Sequence, residues 1–303
     1  MNTLSILVVG ATGKQGHATI AALEASPPQT PPIQILALTR SAASSKAQAL
    51  EKMFPSIEII EGDVMEPGPI FTSNPNITSI FLVTVPPNDE QQALPMIDAA
   101  ISHKISHIVF SSVDRGGESA SWENATTVPH FAAKHRIELY LREKTSGTST
   151  EWTIIRPAGF MDNYNPDLFG RMMAGLWATM PAERKMQLVS VKDIGVVAAS
   201  VLTDVKRWTG RAVGIAGDDL TFREADEVFQ RLLAQDMPRI WGIPSRALRW
   251  AIEDARTSMD WFEKEGFKVD MKILKAEGFK VQNFDQWVRS SAAWKAYVEK
   301  QIT

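Results

Sequence analysis

The segment that most restricts this chain is Gly10-Ala11-Thr12-Gly13-Lys14-Gln15-Gly16. It follows an apolar, β-branched run at residues 4–9 and opens a stretch of helical composition at 14–25. A G-x-x-G-x-x-G pattern gains its meaning from that strand–turn–helix setting, which is the setting of a dinucleotide-binding turn; without it the glycines would read as a bare tight turn. Gly10 permits the turn, Gly13 lets backbone approach a pyrophosphate, and Gly16 lets the helix pack on the strand. A helix N-terminus also offers N–H groups and partial positive charge to phosphate. Thr12, Lys14 and Gln15 lie in the same turn and count as contact candidates.

The rest of the first 160 residues repeats this alternation. Strand-like runs fall at 33–38, 57–60, 80–85, 108–112 and 152–156, and helical stretches at 42–53 and 90–102. Short, continuously apolar strands separated by helices predict a parallel sheet covered on both faces. Right-handed crossovers make it a doubly wound, Rossmann-type α/β sheet. The segment 26–32, with four prolines, cannot continue a helix. Residues 114–127 read as a polar loop, long enough to predict a functional or mobile one. A further strand is expected at 213–216, and helices at 222–234, 246–263 and 286–300. This divides the chain into a dinucleotide-binding domain at 1–157 and a smaller, mostly C-terminal α/β substrate portion at 158–303. A stretch near 190–216 is expected to return to the first domain.

The strand ends then specify the cofactor. The second strand runs into Thr39-Arg40-Ser41, and no acidic residue lies between Glu24 and Glu51. NAD-selective sites place a carboxylate here for the ribose 2′-OH, whereas an Arg accommodates a 2′-phosphate. Arg40, a planar and permanently charged fork, thus predicts NADP(H), with Ser41, Thr39 and Lys46 as added donors; the plainer reading is a solvated strand-end charge. Asp63 ends the third strand, near the expected adenine. Thr84, Val85 and Pro86 follow the fourth strand along the far side of the cofactor. Ser111 and Ser112 end the fifth, where they either bind a substrate carbonyl or cap the strand. Open α/β sheets bind ligands at these carboxyl ends.

Composition removes other classes. With no cysteine, disulfides, thiolate nucleophiles, Cys-zinc sites and iron–sulfur clusters are excluded. A net charge of −3 and the lack of a DNA-reading motif argue against nucleic acid. No apolar run approaches the roughly 18 residues of a membrane span, and no signal peptide is visible. A cytoplasmic protein without a metal site is the expectation; His103 and His107 have helix-ligand spacing, but a turn is expected between them. Trp177, Trp241 and Trp250, with Met172, Met173 and Met180, either roof an apolar substrate cavity or pack a core.

Together with Pro129-His130-Phe131-x-x-Lys134, Arg156-Pro157-x-x-Phe160-Met161-x-Asn163, Val191-x-Asp193-Ile194-Gly195 and the tail Trp261-Phe262…Gly266-Phe267…Asp270…Trp287, these motifs resemble the NmrA-like family of atypical, extended short-chain dehydrogenases. The resemblance spans nearly the whole chain. It implies an NADP(H) site with Lys134 near the nicotinamide ribose and Pro157, Ala158, Gly159 and Phe160 flanking the nicotinamide. It leaves function divided, since some members are redox-responsive regulators and others resemble isoflavone reductases.

Short-chain dehydrogenases place a Tyr four residues before the Lys, on one helix face. Here that position is His130. With an ordinary pKa of about 6.5, His130 suits general acid–base work, or it only hydrogen-bonds cofactor or loop. Lys134 is a cofactor contact and a candidate base. Tyr140 is about 120° off the Lys134 face, which leaves Tyr164 and Asp162 as spare acids. Asp193, at an expected helix start, reads as a capping residue. The chain is therefore expected to be a biosynthetic NADPH-dependent reductase of a small apolar or aromatic substrate. A non-redox cyclisation or isomerisation around the bound dinucleotide is a variant of that reading. The alternative is a non-enzymatic NADP(H) sensor regulating a protein partner, which requires differential affinity for the two redox forms.

Overall fold

The computed structural model describes residues 3–27, 30–240 and 253–302. They form two compact units. The first comprises Met1–Val113, His130–Arg156 and Lys192–Val213; the second comprises Asp114–Pro129, Pro157–Val191 and Gly214–Thr303.

The first unit is built on β1 (Leu4–Val8), β2 (Ile33–Thr39), β3 (Glu58–Glu61), β4 (Ser79–Val83), β5 (His107–Ser111), β6 (Glu151–Pro157) and β9 (Arg211–Ile215). Their order is β3-β2-β1-β4-β5-β6-β9, and every pair from β3 to β6 is parallel. The chain winds outward in both directions from β1 and β4, so the crossovers leave a crevice between the carboxyl ends of those two strands. The helices are α1 (Lys14–Glu24), α2 (Ser45–Met53), α3 (Gly68–Ser73), α4 (Asp89–Ser102), α6 (Pro129–Thr145), α8 (Val191–Thr203) and α9 (Val205–Trp208). Ile6, Leu7 and Val8 are fully buried, as continuous apolar strands in a doubly covered sheet must be.

Two glycines set how closely these layers approach. A Cβ on Gly16 would lie 2.3 Å from the Gly10 carbonyl oxygen, and one on Gly195 would lie 2.3 Å from that of Ala18. The first lets α1 descend onto the end of β1; the second lets α8 pack against α1.

A buried ion pair and a buried histidine in this core carry energetic weight. Arg156 on β6 donates Nε and Nη2 to the Glu138 carboxylate on α6 at 3.1 and 2.7 Å, with both side chains at most 1% exposed. His107 on β5 is fully buried. The Thr153 hydroxyl donates to the Trp208 carbonyl, so His107 Nε2 must donate to Thr153 Oγ1, 2.8 Å away. His107 Nδ1 has no hydrogen-bond partner among the described residues. Burial pushes the His107 pKa down to about 4. Because the folded value lies below the unfolded one, the unfolded chain binds more protons between the two. The stability this gives is fully present above about pH 6.5 and is lost as pH falls toward 4, by at most about 3 kcal/mol. Urea midpoints measured across that window should fall less steeply for His107→Gln than for the wild type; parallel profiles would show that His107 titrates normally.

The second unit holds a three-stranded sheet, β10 (Asp218–Leu220), β8 (Met186–Val189) and β7 (Gly159–Phe160), with β8 central. β7 runs parallel to β8 and β10 antiparallel. Around it lie α5 (Glu118–Glu123), α7 (Leu168–Trp177), α10 (Phe222–Leu233) and the helices Glu253–Lys264, Met271–Ala276, Phe284–Ser290 and Ala292–Ile302. Trp177 is 1% exposed and packs on Tyr164, Phe222 and Phe284 at centroid distances of 5.1, 5.7 and 6.5 Å, so it belongs to the core rather than to a cavity roof. Trp241, Trp250 and the start of the helix expected at 246 lie outside the described residues. The helix expected at 286–300 is broken at Ser291, whose φ of −63° and ψ of 120° are extended.

The polar stretch 114–127 differs from its sequence reading. It carries α5, and its polarity is turned inward. The Asp114 carboxylate, 1% exposed, accepts backbone N–H groups of Gly116, Gly117 and Lys268 at 2.8–3.2 Å. Arg115 is fully buried, with its guanidinium on the carbonyls of Ser121 and Asn124. A loop tied down by a buried acid and a buried base is an ordered brace.

Candidate functional site

The glycine turn is tight and approaches β4 closely. Gly10 has φ +70°, and a Cβ there would stand 2.7 Å from Val83 Cγ1. Gly13 donates its N–H to the Gly10 carbonyl at 2.9 Å and is the N-cap of α1. Among the described residues no side chain caps α1, and no acidic residue lies in its first turn. Natural helices usually satisfy these N–H groups with Ser, Thr, Asp or Asn. Their absence beside a tight turn that carries no acid fits an anion. Thr12 is half-buried, Lys14 exposed and Gln15 half-buried at its rim.

At the end of β2, Arg40 and Ser41 are exposed, and Lys46 projects from the first turn of α2. Ser44 caps that helix, accepting the Ala47 N–H, and Glu61 holds the intervening backbone by accepting the Ala42 N–H at 2.8 Å. The turn is thus fixed by Ser44 and Glu61. Asp63 is exposed at the end of β3, where its Oδ1 accepts the Met65 N–H.

On the other side of β1, the ends of β4 and β5 converge on Lys134. Its Nζ donates to Thr84 Oγ1 at 3.1 Å and to the Ser111 carbonyl at 3.2 Å, and it lies 3.7 Å from Asp89 Oδ1. The Thr84 hydroxyl donates to Asp89 Oδ1 at 2.5 Å. The Ser111 hydroxyl donates to Gln15 Oε1 at 2.6 Å, which joins this cluster to the glycine turn. Val85, 66% exposed, exchanges both backbone hydrogen bonds with the Gln92 side chain. Pro86, beyond it, is exposed and precedes a cis bond to Pro87. His130 lies one turn before Lys134 on α6, half-buried and edge-on to Phe131 at 4.6 Å. Tyr140 donates to the Asp98 carboxylate instead, and burial together with Asp98 pushes its pKa up to about 12.

The remaining candidates belong to the second unit. Pro157 is buried and its carbonyl accepts the Asp114 N–H. Gly159 and Phe160 form β7, and a Cβ on Gly159 would meet Leu188 and the Gln187 carbonyl at 3.1 and 3.3 Å. Asp162 Oδ2 accepts the Val191 N–H at the start of α8. Tyr164 is 3% exposed, its hydroxyl donates to Met186 Sδ, and burial pushes its pKa upward. His103 closes α4 and His107 lies on β5, so the two do not share a helix face. Among the described residues no three metal-ligating side chains gather, and no helix is long and apolar enough to cross a membrane.

Asp89 is the residue that sequence reasoning passed over. Its signal was present as an acid one residue past Asn88, but it reads as a routine helix-start charge until the fold sets it under Thr84.

The model of the NmrA-like family matches residues 2–260. The chain belongs to that family. Among relatives of this NmrA-like protein is the (4-alkanoyl-5-oxo-2,5-dihydrofuran-3-yl)methyl phosphate reductase of Streptomyces griseus. It is 24% identical over 258 residues, covering 84% of this chain and 80% of the relative. Among solved structures, the Citrobacter sp. triphenylmethane reductase complexed with NADP(H) superposes with a TM-score of 0.71 at 19% identity, covering 94% of this chain and 99% of that one. The negative transcriptional regulator NmrA in complex with NADP gives 0.72 at 14% identity, over 99% and 98%. Reductases and a regulator thus share the fold of this NmrA-like protein.

Proposed function

We propose that this NmrA-like protein is a cytoplasmic, NADP(H)-dependent reductase of a small apolar or aromatic substrate. The observation that carries the reading is the placement of Lys134. Its ammonium is fixed at the ends of β4 and β5, while Arg40 stands at the end of β2 and the open turn at β1 lies between. A dinucleotide laid across the crevice meets a cation at each end and N–H groups in the middle. Gly10, Thr12, Gly13, Lys14, Gln15 and Gly16 hold its pyrophosphate; Arg40 and Ser41 take its 2′-phosphate. Asp63, Thr84, Val85, Pro86 and Ser111 line its path.

When bound, the dinucleotide supplies a hydride. The chain's own residues do the rest. Lys134 would hold the nicotinamide ribose, with its ammonium already placed by Thr84 and the Ser111 carbonyl. His130 supplies the proton that a reduced acceptor takes up. Asp162 and Tyr164 serve as helix-start cap and core residue. The reductase relative, which spans most of this chain, supports turnover rather than binding alone.

Arg40→Ala is expected to weaken NADPH by about 10–100-fold, the worth of a charge-assisted contact, and to leave NADH unchanged. Calorimetric titration checks this; equal NADPH affinity in the variant would sink the 2′-phosphate assignment. Turnover is tested by incubating the protein and NADPH with triphenylmethane dyes and acylfuranone phosphates, the compound classes named for a structural neighbour and a relative. NADPH loss equal to product formed supports reduction, whereas product without NADPH loss means an isomerisation.

One observation favours a second reading, a sensor that regulates a protein partner. His130 occupies the position of the usual proton-donating Tyr, and a regulator shares the fold. No turnover, together with about tenfold preference for one NADP redox form, would select it.

A further inference from the structure

The cofactor reading leaves one buried acid without a task. Asp89 opens α4 and is 1% exposed. Its Oδ1 accepts the Thr84 hydroxyl, and its Oδ2 is buried with no hydrogen-bond partner among the described residues. A buried carboxylate that satisfies only one of its oxygens is costly to keep. The α4 N-terminus offsets part of that cost. The Lys134 ammonium, 3.7 Å away, offsets more.

The chemistry of the three groups fixes their order. A carboxylate only accepts, so the Thr84 hydroxyl must point its hydrogen at Asp89. Its lone pairs then face Lys134, which has only donors. Thr84 presents its lone pairs to the ammonium in this way while Asp89 accepts its hydroxyl hydrogen bond. On the other side the Ser111 carbonyl accepts a second N–H of Lys134. Gln92 clamps Val85 through both backbone groups, so the short loop from Thr84 to Asp89 cannot drift.

We propose that Asp89 is a positioning residue for the nicotinamide half of the cofactor, acting through Thr84 on Lys134. It sets the direction of the Lys134 N–H groups and supplies their counter-charge. This rests on the NADP(H) reading above, because Lys134 must be what the nicotinamide ribose meets. The adenosine half, held by Arg40 and the glycine turn, should not sense Asp89.

That division gives the test. Calorimetry would compare NADPH with adenosine 2′,5′-bisphosphate, which lacks the nicotinamide ribose, on the full chain. Asp89→Asn and Thr84→Val should each weaken NADPH by about tenfold and leave the bisphosphate unchanged. Thr84→Ser keeps the hydroxyl and should recover most of the NADPH affinity that Thr84→Val loses. Thr84→Val added to Lys134→Met should cost little beyond Lys134→Met alone, since both remove one linkage. Wild-type NADPH affinity in Asp89→Asn and Thr84→Val would overturn the proposal. So would equal losses of both ligands, which would mean a merely structural role. If the wild type binds neither ligand, the NADP(H) reading itself is wrong, and the proposal falls with it.

Discussion

Truncating Glu138 to alanine is expected to lower stability by about 3–5 kcal/mol, because it leaves the Arg156 guanidinium charged and buried without its counter-ion. The pair is bidentate and both members are at most 1% exposed, so water cannot replace the lost carboxylate. The expectation is specific to breaking the pair. Replacing both members, as Glu138→Leu with Arg156→Met, should recover much of the loss, since well-packed apolar residues of similar volume often match a buried ion pair. Urea unfolding of the three proteins decides between these. A loss below about 1 kcal/mol for Glu138→Ala, the range of an exposed pair, would mean that the site is wet in solution. The pair ties α6 to β6, and α6 carries Lys134, so this is a stability device beneath the site.

Lys134→Met should lower kcat/KM for NADPH by about a hundredfold, the order of effect expected when a reacting group is held about 1 Å out of place. On the proposed reading it removes a ribose donor, and it takes the ammonium away from Asp89. The nicotinamide ribose is common to NADPH and NADH, so the loss should be similar for both. Arg40→Ala should instead discriminate between them. Steady-state rates with each cofactor separate the two residues: a fully active Lys134→Met would remove the lysine from the mechanism, and a loss confined to NADPH would move it to the 2′-phosphate end.

The first unit was legible because its signals are local. A continuous apolar run at β1, glycines at fixed spacing and a β2 that ends in Thr39-Arg40 with no nearby acid are enough to expect a doubly wound sheet and an NADP(H) turn. The predicted strand at 108–112 differs from β5 by one residue at each end. What was not legible depends on partners distant in sequence. Asp114 looks like a loop acid until Lys268, 154 residues away, donates to it. The segment 114–127 reads as a polar loop from its composition, yet its Asp114 and Arg115 are both buried. Tyr164 and Asp162 have the right chemistry for an acid; the fold gives one to Met186 and the other to the Val191 N–H. β7, β8 and β10 are two to four residues long, too short to carry a period of their own.

The path of the chain has a consequence for anyone who would re-engineer it. It passes from one unit to the other after Val113, Pro129, Arg156, Val191 and Val213. Neither unit is a contiguous stretch of sequence, so no single cut releases one of them intact. A chimera that borrows the second unit of a relative must splice three separate segments in register, and a single crossover would mix both units. During synthesis the last piece of the first unit, Lys192–Val213, precedes the last 90 residues of the second. The seven-stranded sheet can therefore close while the other unit still awaits its tail.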